Sequence, residues 1–310
     1  MIPVWLRSPR VGGAFLVLAL GALAWAVSRS LPALAQAFAA LRAAPLESVV
    51  ALLAYLGFVI ALGMIWRGLL ARCSGTWLTR AAALRVQSIA WSARYLPGKL
   101  GLVAAKVMLV PTDCAAAAWA AAWEQVLFLV AGVLVIAACA AASVGSAFGD
   151  LLPGAAPLAL LAAVIALLLV VMSLAPRLDA LVTRLAGITT TTVHPRAGEI
   201  AGWLLAFAAA HCLVGLSFVA LLAALGHGDA FSTVGAIGIL TAAHLGGIVA
   251  VIAPAGLGVR EALLAGMLAP TIGTEAALAA ALITRAGATL GDVLVAPLAL
   301  LPAGQVTDSG

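Results

Sequence analysis

The sequence is short of charge. Of its 310 residues, 9% are Asp, Glu, Lys or Arg, where a soluble domain carries about 25%. With 65% hydrophobic residues and a mean hydropathy of +1.22, the chain has too little polar surface to cover a water-soluble fold of this size. A cytosolic enzyme and a nucleic-acid-binding domain are excluded, and so is disorder, which needs low hydrophobicity. Cysteine is scarce too. Cys73, Cys114, Cys139 and Cys212 are scattered, with no C-x-x-C and no His at ligand spacing, which excludes a disulfide-built secreted module and argues against a metal site. They read as small apolar packing residues. H-E-x-x-H, G-x-S-x-G and Walker sequences are missing, so neither a familiar hydrolytic site nor a phosphate loop for ATP is present. No cofactor is expected.

What is present is a series of long apolar runs. Five are free of charge: 11–28, 48–66, 151–176, 200–228 and 230–259. Two more carry internal charge: 115–142 holds Glu124, and 276–300 holds Arg285 and Asp292. Each is near or above the roughly 20 residues a helix needs to cross a bilayer. The runs are continuous, not alternating, which speaks against a β-barrel. The expected class is all-α: a polytopic helical membrane protein forming a single domain over 1–310, with about seven spans plus broken or re-entrant helices. The run 11–28, with Arg7 and Arg10 before it, has some features of a signal peptide, but its length and the following Arg29 favour a retained helix.

Arginine placement sets an orientation. Arg7 and Arg10 precede the first run, Arg67, Arg72, Arg80 and Arg85 follow the second, and Arg177, Arg184 and Arg196 precede the run at 200. The positive-inside rule puts all three groups, and the N-terminus, in the cytoplasm. Residues 86–113 must then return to the side on which they began. They carry Arg94, Lys99 and Lys106 and are interrupted by Pro97-Gly98, so a re-entrant broken-helix hairpin is predicted. Trp66, Trp77, Trp91 and Trp203, like Trp5 and Trp25, read as interfacial anchors.

The break has an echo. Pro97-Gly98-Lys99-Leu100-Gly101-Leu102 matches Pro254-Ala255-Gly256-Leu257-Gly258-Val259 in the pattern P-x-x-L-G-aliphatic. Paired Pro/Gly-interrupted apolar segments in two halves point to a transporter's binding site. The corresponding repeat halves would be about 48–142 and 200–300.

The segments R-Y-L-P-G-K-L-G (94–101) and P-A-G-L-G-V-R-E (254–261), with Glu124 and Arg285, resemble the lysylphosphatidylglycerol synthase transmembrane region, or flippase-like domain family. The resemblance runs from about the second span to the last. It implies a bacterial inner-membrane protein of about eight helical segments that moves or handles lipids or lipid-linked sugars. Some relatives carry a fused transferase domain; the polar residues after Leu300 do not suggest one, so synthase activity is not carried over. Relatives often have Arg after the residue matching Glu124, and this chain has Gln125.

The candidate substrate-binding residues are Arg94, Pro97, Gly98, Lys99, Lys106, Glu124, Pro254, Gly256, Gly258, Arg260, Glu261 and Arg285. A cationic lining beside irregular backbone suits a phosphate headgroup. The alternative for Arg94, Lys99 and Lys106 is snorkelling to the cytoplasmic interface. Glu124 lies too deep to snorkel and needs a cation, with Arg94, Lys99, Lys106, Arg260 and Arg285 as candidates. Glu261 is expected in the first turn of a helix starting near Gly258, paired with a cation from the other half. Arg285 and Asp292 are seven apart, so each is expected to pair with another helix. His211 and His244 read as core histidines. The expected function is a lipid translocase whose partners are membrane lipids. The competing readings are a lipid-modifying enzyme and a membrane subunit serving a separate glycosyltransferase.

Overall fold

Apolar runs bounded by turn-forming residues become helices, and their ends obey local rules. In this computed structural model the described residues are 17, 21, 39, 42–95, 100–143, 148, 149, 154, 156–186, 193–249 and 258–302. Their regular structure is helical: α1 (Pro45–Ser74), α2 (Arg80–Ala93), α3 (Leu100–Met108), α4 (Cys114–Ala142), α5 (Ala156–Ala186), α6 (Ala197–Ala224), α7 (Thr233–Val249), α8 (Val259–Ile272) and α9 (Thr274–Val295). A 3-10 turn over Ala296–Leu300 extends α9.

Pro45 opens α1 at a position where its missing N–H costs nothing, Glu47 lies in the first turn, Arg72 in the last, and Gly75 closes the helix at φ 71°. The Thr79 side chain caps α2 by accepting from the Ala82 N–H. Glu199 reaches back to accept from the Arg196 N–H at 2.7 Å, holding the start of α6.

Among the described residues, five helical stretches are long and apolar enough to cross a membrane: Pro45–Ser74, Cys114–Ala142, Leu158–Arg177, Ala197–Ala224 and Thr274–Leu300. This is a multi-pass helical architecture. The run at 11–28 lies outside the described residues. Of the run 230–259, the described residues place Thr233–Val249 in α7, a helix of 17 residues, and Val259 in α8. Seven full spans are therefore not what the described residues contain.

Helices α1 and α6 form the most extensive contact and run antiparallel. Arg72 Nε meets both Glu199 carboxylate oxygens at 2.8 and 2.7 Å, and the Val193 N–H donates to the Cys73 carbonyl at 3.1 Å, so the end of α1 sits beside the start of α6. Helix α4 packs against α1, α6 and α7. The core is centred on Phe58, Trp66, Leu127, Phe207 and Phe218, all nearly sealed from the surroundings. Helix α5 lies outside this core and packs chiefly on α4, leaving Leu158 and Leu169 exposed.

The short helices α2 and α3, of 14 and 9 residues, pack on each other, and neither is long enough to span. Pro97, Gly98 and Lys99, where the sequence reading puts the break of a re-entrant hairpin, lie outside the described residues. Two of the tryptophans are not interfacial. Trp66 is fully buried and Trp91 nearly so, because each faces a charged side chain that needs an interior partner. Trp77 is 39% exposed beneath the Arg67 guanidinium, and Trp203 fits against α1 where Gly68 leaves room.

Candidate functional site

Charged side chains inside an apolar bundle persist when something compensates them. Among the described residues three ion pairs meet that need, and each follows from where a helix places its residues. The first ties α3 to α4. Lys106 Nζ lies 2.6 Å from both Glu124 oxygens, its ammonium faces the Trp66 ring at 4.9 Å, and its side chain has no exposure. The cation for Glu124 is therefore Lys106. With its charge answered by Glu124 and its head sealed in, Lys106 does not reach the surface of the bundle.

The second pair ties α2 to α9. Asp292 accepts four hydrogen bonds. Its Oδ1 takes the Tyr55 hydroxyl at 2.5 Å and the Trp91 indole N–H at 2.9 Å; its Oδ2 takes the Arg94 Nη2 and the Tyr95 hydroxyl, both at 2.5 Å. Arg94 also lies over the Trp91 ring at 4.0 Å. The chain has two tyrosines, and both donate to this one carboxylate. Tyr55, Trp91, Tyr95 and Asp292 were not among the residues proposed from the sequence. The usable signal was their rarity: a phenol or a carboxylate in so apolar a chain needs a partner.

The third pair joins α8 to α9. A positive φ of 82° at Gly258 lets the chain turn into α8, and Glu261 Oε2 accepts from the Gly258 N–H at 2.7 Å. Glu261 Oε1 receives Arg285 Nη1 at 3.3 Å. The helix start expected near Gly258 is found there, with Arg260 and Glu261 in the first turn. The partner of Glu261 differs from the expectation: Arg285 belongs to the same half, because α8 turns directly into α9 and lies against it. Pro254 and Gly256 lie outside the described residues.

Between these pairs is a cavity of about 130 Å³. Arg94, Arg260 and Arg285 line it, with Glu124, Gln125 and His244, and with apolar walls from Leu62, Leu102, Phe128 and Ile248. Among the described residues, Arg260 makes no hydrogen bond or ion pair with the protein. Among the described residues, four cations thus meet three carboxylates around this space, leaving a formal excess of one positive charge, on Arg260.

His211 is buried, and its Nε2 lies 3.0 Å from the Phe128 carbonyl, as a core histidine should. Among the described residues, the Nδ1 of both His211 and His244 lacks a hydrogen-bond partner, and His244 differs in lining the cavity. His194, in a loop, is held by Trp119 and Trp123. All four cysteines are free, and among the described residues no group of His, Cys, Asp and Glu is arranged to hold a metal ion.

No family model matches the chain, and no curated protein is similar to it.

Proposed function

We propose that this chain is a membrane-embedded translocase that receives the anionic headgroup of a phospholipid or lipid-linked sugar at Arg260. One observation carries the reading: a guanidinium with no protein partner among the described residues faces a cavity inside an apolar helical bundle. A bare charge at the bilayer centre costs about 2.5–3.5 kcal/mol even on the lenient insertion scale. A phosphodiester would offset that cost through charge-assisted, bidentate contacts that guanidinium groups make well. One negative charge also matches the excess of one positive charge.

The order of elements supports the same reading. A long helix, two short ones and a long one (α1 to α4) recur as α6 to α9. Each set ties its second short helix to its last long helix by an ion pair, Lys106–Glu124 in one and Glu261–Arg285 in the other, with the signs reversed. Two related halves meeting at a binding site are a common transporter plan. The resemblance to the flippase-like family, a bacterial inner-membrane setting and a cytoplasmic N-terminus belong to this proposal.

Purified protein in vesicles, with a fluorescent anionic lipid and an impermeant quencher, tests it. Wild type should equilibrate the lipid across the bilayer, and Arg260→Ala should cut the protein-dependent rate at least tenfold. Equal rates for wild type, Arg260→Ala and protein-free vesicles would reject translocation.

A further inference from the structure

Arg260 also lines a second cavity. This one is larger, about 300 Å³, and mostly apolar. It lies between the first turns of α1, the last half of α6, and α9, and Ala288 and Arg260 form a wall common to both cavities. Along α1 its lining runs from Pro45 to Tyr55, ten residues or about 15 Å of helix rise. Its outer end reaches the apolar outer surface of the bundle, since Val49 lines it and is 53% exposed. Its polar features are sparse. Ser48, 7% exposed, has an Oγ that finds no hydrogen-bond partner. A hydroxyl left so in an apolar wall points to an acceptor supplied by a ligand.

We infer that this second cavity holds one acyl chain of the lipid whose phosphate sits at Arg260. The inference rests on the headgroup reading above and adds the site of the tail. The two cavities divide the ligand as an amphiphile divides itself: charged and polar groups on one side of Arg260, an apolar trough on the other. Ser48 Oγ–H donates to an ester carbonyl of the lipid. A soluble phosphate would leave the trough unused. A lipid fills it and reaches it sideways, through the exposed edge at Val49, without crossing the water interface.

Gly287 gives a clean test. It lines the trough, and a Cβ built on it meets no atom within 4 Å. Gly287→Leu therefore projects into the trough from a position with room for its Cβ. The probe is a phosphatidylglycerol with a diazirine at the end of one acyl chain, in phosphatidylcholine nanodiscs, with crosslinks mapped by mass spectrometry. Labels are expected on Leu52, Leu221 or Leu290, reduced at least fivefold by Gly287→Leu, with the unfolding temperature unchanged. Labels confined to outward residues such as Leu53 and Leu169, or indifferent to Gly287→Leu, would overturn the inference. Arg260→Gln separates the two claims. Trough labelling that ignores this change rejects the phosphate at Arg260 but keeps the trough. Weaker lipid binding in Arg260→Gln with no trough labelling in wild type keeps the headgroup site and rejects the trough.

Discussion

The Lys106–Glu124 pair and the Arg260 guanidinium show two ways of placing charge in an apolar interior. Lys106 and Glu124 have side-chain exposures of 0% and 5% and answer each other. Removing one member leaves the other buried and uncompensated, which costs about 3–5 kcal/mol, whereas removing both is close to neutral when the replacement packs well. Lys106→Met and Glu124→Leu should each lower stability by that amount, and the double variant should recover most of the loss. Reversible unfolding in mixed micelles measures it. Additive losses would mean the two residues are not a closed pair. Asp292 is tied more tightly still, with four donors on two oxygens, so it fixes Arg94 at the cavity edge and leaves that guanidinium less able than Arg260 to accept an incoming anion.

At the scale of elements, much was legible in advance. Long apolar runs, with or without an internal charge, marked the long helices, because a 20-residue apolar stretch has few other stable fates. The pattern around Gly258 marked the start of α8, since glycine tolerates the positive φ found there and Glu261 complements the helix dipole. Pairing was not legible. Sequence placed Glu124 and Glu261 near several cations but gave no distances, and the direct turn from α8 into α9 chose Arg285 for Glu261. Trp91 looked like an interfacial anchor because its partner, Asp292, is 201 residues away. The cap makes its own prediction. Gly258→Ala forces a Cβ into a left-handed conformation, at about 1–2 kcal/mol, and shifts the first turn that carries Arg260. Its loss of lipid crossing should exceed that of Ala262→Gly, an exposed first-turn change of similar helix cost. Equal activity in the two variants would separate the cap from the site.

For the whole molecule, the antiparallel α1–α6 contact fixes which loops share a side. The Arg72–Glu199 pair puts residues around 76 and 196 together, while Pro45 and Asp229 lie at the opposite ends of the same helices. The proposed orientation, with the arginine-bearing loops in the cytoplasm, puts the first side inside. In a cysteine-free background, Thr76→Cys and Arg196→Cys should react with an impermeant thiol reagent only after membrane inversion, and Asp229→Cys only before it. Thr76→Cys and Arg196→Cys reacting from opposite faces would contradict the helix pairing itself.

The most direct measurement concerns the excess charge. Native mass spectrometry of the detergent-solubilised protein can titrate phosphatidylglycerol against wild type, Arg260→Lys and Arg260→Gln. Arg260→Gln should bind at least tenfold more weakly, equivalent to about 1.4 kcal/mol, with Arg260→Lys between it and wild type. Equal affinity in all three would contradict an anionic headgroup at Arg260.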